Sequence, residues 1–459
     1  MEDFLTILAK QKSFLDKLQK EQPSLFTIEQ ILDEETTLKN IGITTLSNNR
    51  PDGYIKLYPQ DFIVEEVRQN GTISVIEPKD DFPLAQDGKK TLYCNLVKAN
   101  VSTIDAIARL AKALNLAPEK IGYAGIKDNQ AITSQLIALP NINAGQITRL
   151  KTESFFLTNF YYGTGSLNVA DLTGNSFTIL VRTKEKIDQE HLKREFKKIK
   201  DNGFLNFYQT QRFGTPRLIG HHLGKMILQG NYEHAIKAFL LYSSIHDLKL
   251  VRMIRTEAQQ LYGYWDKMKK VFASMPVTFQ HELKILSHLE QHPQDFIGAL
   301  HAVKDQSTLW IYAYPSYLFN LLLSENQNNL PPELPLLLND NEKDIALYQN
   351  YLTRDGITNF AKALKPFKFI QLKRRLTPTR VYPKNIMFMS TDEGVICHFD
   401  LDKGSYATSF LMNLFKLSNG LPYPAWTKKT PCDIKKYLQL GTNAEVVKRL
   451  GDYIKREQV

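Results

Sequence analysis

Ile121-Gly122-Tyr123-Ala124-Gly125-Ile126-Lys127-Asp128-Asn129-Gln130-Ala131-Ile132-Thr133-Ser134-Gln135 is the stretch from which the rest of the chain is read. It follows a well-marked helical pattern and leads into an apolar, strand-like run, Leu136 to Leu139. Gly122 and Gly125 loosen the backbone ahead of a single carboxylate, Asp128, because glycine reaches conformations that a Cβ forbids. Lys127 stands directly before the acid, and small or polar residues follow it. Such an acid can stay ionised, be aimed by a stiff turn, and be reached by a substrate. The plainer reading is a cap or a completed turn, as for most aspartates near glycine.

Working upstream, Ile104, Ile107, Ala108, Leu110, Ala111 and Leu114 fall at helical spacing, with Ser102 or Thr103 as N-cap and Asn115 and Pro118 as the stop. This helix delivers the chain to the Asp128 loop. Thr91 to Ala99 reads as a strand before it, and Asp61 to Val67 as another, preceded by the short run Tyr54 to Leu57 and the break Pro59-Gln60. Lys56 lies in that short run. A strand lysine usually snorkels to the surface, but a lysine beside Asp128 would hold the carboxylate charged. The first 45 residues carry an apolar stripe at helical spacing (Leu8, Phe14, Leu15, Leu18) that Pro23 ends.

Downstream, Gly174-Asn175 makes a turn into Phe177, Ile179 and Val181, which alternate as one face of a strand. His191 to Asp201 is a lysine-rich helix with a solvated face. Then comes Gly203-Phe204-Leu205-Asn206-Phe207-Tyr208-Gln209-Thr210-Gln211-Arg212-Phe213-Gly214. Tyr208 offers a flat ring for stacking a base, Asn206 a polar group for its edge, and Arg212 a fork for carboxylate or phosphate. Core packing is the competing reading for Phe207, Tyr208 and Phe213, and the preferred one for Phe213. From about 220 to 370 the pattern is mostly helical, with a loop expected over 326–341. After 370 strands return, and Cys397 to Leu401 leads into Gly404-Ser405-Tyr406-Ala407-Thr408.

Taken together these blocks resemble the TruD family of pseudouridine synthases. Gly125 to Gln135 is similar to that family's Gly-x-Lys-Asp-x-x-Ala-x-Thr-x-Gln signature, and Asp61 to Glu66 to its Asp-Phe-x-Val-x-Glu strand. Lys98, Asn100 and Thr103 match its Lys-x-Asn-x-x-Thr. Leu172 to Arg182 matches its Leu-x-Gly-Asn-x-Phe-x-Ile-x-x-Arg, the Asn206 to Gly214 segment its asparagine–aromatic–Gln-Arg-Phe-Gly block, and Gly404 to Thr408 its Gly-Ser-Tyr-Ala-Thr. The chain departs from the family at Gln209 (glycine there), at Pro315 (glutamine, before Ser316, Phe319 and Asn320) and at Met412-Asn413 (Arg-Glu). The Gln209 departure is expected to alter the local turn.

The resemblance implies an α+β protein with the pseudouridine synthase fold: a mixed, mainly antiparallel sheet with helices, and a mostly helical inserted domain. The expected divisions are an N-terminal helical extension over 1–45, a catalytic domain in two parts, 46–221 and 371–459, and the insertion over 222–370. The implied activity is isomerisation of a uridine in tRNA, with uridine 13 the usual target and Asp128 the catalytic carboxylate. Lys56, Asn206, Tyr208 and Arg212 are the implied substrate-site residues. Attack on the sugar and elimination to a glycal both remain open. The reaction calls for no cofactor, redox equivalent or metal. The rival class is a non-catalytic RNA-binding protein that keeps the fold.

Composition agrees with this frame. The chain has 459 residues, enough for more than one domain, and a formal net charge of +10. That excess suits a polyanion such as RNA. Its three cysteines, Cys94, Cys397 and Cys432, are far apart and form no CxxC pair, which argues against a disulfide framework or a cysteine-built zinc site. No glycine triplet of dinucleotide spacing and no P-loop is present, and His281-Glu282 lacks the second histidine of HExxH. Apolar runs are too short to span a bilayer, so no membrane partner and a cytoplasmic location are expected; a monomer is compatible with the sequence.

Overall fold

The computed structural model describes residues 4–30, 33–46, 49–79, 81, 90–148, 150, 152–168, 171–371, 373–420, 423–451 and 454. They belong to two compact units. One joins Ser47–Phe204 to Val381–Val459; the other joins Met1–Leu46 to Leu205–Arg380.

The first unit is built on a ten-stranded sheet. Its strands are β1 (Asp52–Tyr54), β2 (Phe62–Arg68), β3 (Thr91–Ala99), β4 (Gly122–Tyr123), β5 (Ile132–Pro140), β6 (Phe155–Gly163), β7 (Leu172–Thr183), β8 (Lys384–Ser390), β9 (Gly394–Asp402) and β10 (Lys416–Ser418). The order across the sheet is β8-β9-β7-β2-β5-β3-β6. On that path β2 runs parallel to β5 and the other neighbours are antiparallel. Short β1 lies between β7 and β10, and β4 pairs with β5. The sheet is therefore mixed and mainly antiparallel, as expected.

Alternation decides what each face buries. Phe177, Ile179 and Val181 of β7 point to one side, into a core with Phe62, Val64, Phe399 and Phe410; Leu180 points to the other, with Ile63, Ile396 and Ile434. Leu192, Phe196 and Ile199 of the lysine-rich helix, Gln189–Asn202, cover the first face, and its lysines face water. The helix Thr103–Leu114 packs on Leu92, Leu96 and Ile137 through Ala106, Ile107, Leu110, Ala111 and Leu114. Ile104 and Ala108, placed on the apolar face by spacing, are instead exposed: they fall at one margin of the arc that Thr103, Ala106, Ile107, Leu110, Ala111 and Leu114 bury. Cys94, Cys397 and Cys432 are buried free thiols, and burial pushes the thiol of Cys432 up to about 11.

Asp61 does not continue the strand as its sequence position suggested. It closes a 3-10 turn, Pro59–Asp61, that proline starts. There it meets Arg182 of β7 in a two-pronged pair, Nε to Oδ2 at 2.8 Å and Nη2 to Oδ1 at 2.9 Å, with both side chains inaccessible. Arg182 also donates to the carbonyl oxygens of Lys428 and Thr430. One guanidinium thus ties the turn before β2, the sheet centre and the C-terminal segment.

The second unit is mostly helical. Its core gathers Leu223, Ile236, Ile254, Met268, Phe272, Leu286, Trp310, Leu318 and Tyr348 from successive helices. Gly220–Leu228 crosses the long helix Lys304–Glu325 closely, and a Cβ on Gly224 would lie 2.1 Å from the Trp310 carbonyl oxygen. The N-terminal helix Phe4–Glu21 joins this unit through Gln11, which accepts from Val277 N–H at 2.8 Å. Within the expected loop 326–341, Glu333–Leu336 is a strand and pairs with Arg375–Pro378. Pro331 and Pro332 precede it and Pro335 lies within it, and the long-range pairing outweighs their loop preference. No described helix is long and apolar enough to cross a membrane.

Removing one partner of a buried ion pair strands the other charge in the core. Arg182→Ala is therefore expected to destabilise the sheet unit by about 3–5 kcal/mol, read as a lower urea midpoint for its transition. Asp61→Leu with Arg182→Met should recover part of that loss, since both charges then leave together.

Candidate active site

Asp128 sits on the connection between β4 and β5. Hydrogen bonds from three elements fix the backbone around it. Lys127 N–H donates to Thr103 Oγ1 at 3.0 Å. The same hydroxyl donates to Gln135 Oε1 at 3.1 Å, and Gln135 Nε2 donates to the carbonyl of Gly125 at 2.9 Å. From β3, Lys98 Nζ donates to the carbonyl of Asp128 at 2.7 Å and to that of Val101 at 2.9 Å. Thr103 is free for this work because Ser102 caps the helix, accepting from Asp105 N–H at 3.0 Å.

Lys127 points inward. Its ammonium lies 2.8 Å from Glu66 Oε2 and donates to Asn175 Oδ1 at 2.8 Å. The acid keeps a side chain 29% exposed, with Lys56 Nζ 3.3 Å from its Oδ2. Lys56 is itself buried, lies 4.3 Å over the Phe62 ring, and adopts φ 61°, a conformation rare outside glycine. Non-glycine residues held there store roughly 1–3 kcal/mol of strain and cluster at functional sites. Lys98 is fully buried, and burial, opposed by the charge of Asp128, lowers its pKa to about 8.

The glycines act differently from the sequence expectation. Neither Gly122 nor Gly125 has a positive φ. Gly122 is needed for close approach, since a Cβ there would meet Leu167 N at 2.9 Å, whereas at Gly125 the nearest atom is 3.5 Å away. The turn is stiffened by side-chain anchors, not by glycine conformation.

Lys56 and Asp128 are thus brought together in the sheet unit, while Asn206, Tyr208 and Arg212 lie together in the helical unit. Asn206 is buried; its amide nitrogen donates to the carbonyl of Pro378 at 3.1 Å, and its Oδ1 is buried with no hydrogen-bond partner among the described residues. Tyr208 is 6% exposed, edge-on to Phe319 at 5.4 Å, with the Arg212 guanidinium 5.2 Å from its ring centre. Asn320 clasps its backbone: Oδ1 accepts from Tyr208 N–H, and Nδ2 donates to the Tyr208 carbonyl, each at 2.9 Å. Phe213 is core, edge-on to His221 at 5.4 Å.

Of the departures, Gln209 adopts φ −94° and ψ 173°, extended backbone open to any residue. Pro315 lies inside the helix Lys304–Glu325, where it removes one backbone donor. Met412 is buried, and its carbonyl accepts from Arg50. Arg374 is paired with Asp344 at 2.9 Å. Among the described residues no group of three or more His, Cys, Asp or Glu side chains is arranged to hold a metal ion. Sequence reasoning gave no role to Glu66 or Gln135, none to Lys98 beyond its motif, and put Asn175 in a turn, whereas it lies within β7 and its side chain faces Lys127. The signal for Lys98 was a lysine inside the apolar strand Leu96-Val97-Lys98-Ala99.

The architecture is that of pseudouridine synthases. A crystal structure of the putative tRNA pseudouridine synthase D from Methanosarcina mazei superposes with a TM-score of 0.61 at 21% identity, over 82% of this chain and 97% of that one. The family model described as tRNA pseudouridine synthase D (TruD) matches residues 40–350. The probable tRNA pseudouridine synthase D 1 of Methanocaldococcus jannaschii is 29% identical over 377 residues, 78% of this chain and 94% of its own length. The probable tRNA pseudouridine synthase D of Methanococcus vannielii is 28% identical over 393 residues, 80% of this chain and 96% of its own. The chain belongs to the tRNA pseudouridine synthase D family, and it is an isomerase of the pseudouridine synthase type.

Thr103→Val removes the hydroxyl that links Lys127 N–H to Gln135 and leaves buried polar groups unpaired. A loss of about 1–3 kcal/mol is expected in chemical denaturation, with far-UV helix content unchanged because Ser102 still caps the helix.

Proposed function

We propose that this enzyme converts a uridine of tRNA, at position 13, to pseudouridine, with Asp128 as the catalytic carboxylate. The observation that carries the proposal is a partly open carboxylate, held 3.3 Å from a buried lysine, on a loop whose backbone is anchored from three elements. An acid that must attack or take a proton has to be ionised, aimed and reachable at once.

In the reaction the N1–C1′ bond breaks, the base turns, and a C5–C1′ bond forms; the C5 proton leaves and N1 gains one. No electrons are exchanged with an outside reagent. Asp128 begins either route, by attack at C1′ or by removal of the C2′ proton. The uridine must first leave its stack. Asn206 is assigned to the substrate site on the family resemblance of its segment. Tyr208 and Arg212 supply a ring and a cation for the flipped nucleotide or its phosphate. We place the reaction in the cytoplasm. The helical stretch 222–370 serves as an inserted RNA-gripping domain in this reading, and basic side chains make that grip salt-dependent.

Asp128→Asn keeps the size of the side chain and removes its charge. It is expected to lower pseudouridine formation in unmodified tRNA by at least about 10³-fold, with the dissociation constant for tRNA unchanged within about threefold. Pseudouridine is read by carbodiimide mapping and binding by filter retention. Turnover by the variant would remove Asp128 from the chemistry. Binding without turnover by the wild type would favour a protein that keeps the fold without the reaction.

A further inference from the structure

We propose that Lys98, in its ammonium form, is the positioning residue that holds the Asp128 loop in its reactive setting. The inference rests on the reading of Asp128 as the catalytic carboxylate. Among the described residues Lys98 makes no hydrogen bond to that carboxylate; it acts through the backbone. Its Nζ donates to the carbonyl oxygen of Asp128 at 2.7 Å and to that of Val101 at 2.9 Å. Val101 lies two residues before the helix Thr103–Leu114. One ammonium group therefore bonds the reactive loop to the segment entering the helix whose first residue, Thr103, anchors Lys127 N–H.

A lysine placed here is otherwise hard to explain. It is fully inaccessible, and among the described residues no carboxylate lies within salt-bridge distance of it. Burying an ammonium with only carbonyl partners is costly, and a methionine of similar length would pack without that cost. The two carbonyl oxygens it serves belong to irregular backbone on either side of a helix, and neither is in a strand ladder. A compact cation with three donors can serve both, whereas a planar guanidinium would need more room. Its cross-strand neighbours, Thr133 on β5 and Phe155 on β6, carry no charge. The charged groups acting on it are Asp128, which favours the ammonium, and Lys127, which opposes it; Lys127 is in turn offset by Glu66 from β2. Lys56 is on the far side of the acid in the chemical sense, paired with its side-chain oxygen while Lys98 is paired with its backbone oxygen.

The pKa of about 8 puts loss of the ammonium within reach of experiment. The sign follows from burial: the charged form exists below that value and is lost above it. Positioning then predicts that the free enzyme loses competence on the alkaline side, and that removing the cation lowers the chemical step without loosening the RNA.

The test uses full-length enzyme and unmodified tRNA, with wild type, Lys98→Met and Asp128→Asn side by side. Lys98→Met is expected to lower kcat on the order of 100-fold, the effect of misplacing a reacting group by about 1 Å. The KM and the tRNA dissociation constant should stay within about threefold of wild type. For wild type, kcat/KM, which reports the free enzyme, should fall above about pH 8; in Lys98→Met that limb should be absent. The wild-type profile stands even if the variant folds poorly. A kcat for Lys98→Met near wild type, with Asp128→Asn inactive, would overturn the role of Lys98 alone. A wild-type kcat/KM that is level to pH 9.5 would do the same. An active Asp128→Asn would overturn the reading of Asp128 first, and the Lys98 proposal with it.

Discussion

A hydrogen bond from a lysine without solvent access to the backbone carbonyl of Asp128 is the constraint on which the site geometry depends. An acid on a free loop would sample many orientations, and ordering it at the moment of reaction would cost conformational entropy. Here that ordering is complete before substrate arrives. Thr103, Gln135 and Lys98 hold the loop backbone, and the Glu66–Lys127–Asn175 group fixes the residue beside the acid. The anchors belong to β2, β3, β5, β7 and one helix, so the whole sheet specifies the position of one carboxylate.

That dependence explains why distant sequence blocks travel together. Gly174-Asn175 reads as a turn in the sequence, but both residues lie inside β7, paired with Asp402 and Leu401 of β9; the same strand carries Arg182, whose pair with Asp61 fixes the turn that follows Lys56. Lys56 reaches Asp128 from a left-handed backbone position, immediately before that turn. Each block looks local in sequence. In the fold each is one support of a shared network, and a network with one member missing leaves polar groups buried and unpaired.

Much of this was legible. β3 spans Thr91–Ala99 as its composition indicates, the helix Thr103–Leu114 begins and ends at its capping signals, and Phe177, Ile179 and Val181 share a face. Long periodic elements carry their own signal. What was hidden depended on tertiary partners. Asp61 reads as the start of a strand until Arg182 supplies a reason to turn inward. Glu333–Leu336 reads as loop until Arg375–Pro378 pairs with it. Ile104 and Ala108 fit a helical stripe, yet both are exposed at its margin. Gly125 looked like a conformational requirement, while the stiffness of the loop comes from side chains more than ten residues away in several cases. For Asn206 and Tyr208 the sequence supplied residue types; the clasp by Asn320, which fixes the Tyr208 backbone, needed the fold to be seen.

The most direct measurement is carbodiimide mapping of every uridine in a full-length, unmodified tRNA after incubation with the wild-type enzyme, alongside the same tRNA carrying cytidine at position 13. The account predicts one new pseudouridine, at position 13, with no change in RNA mass and none formed in the cytidine-bearing tRNA. Saturating enzyme that binds the tRNA and leaves all its uridines unconverted would contradict it.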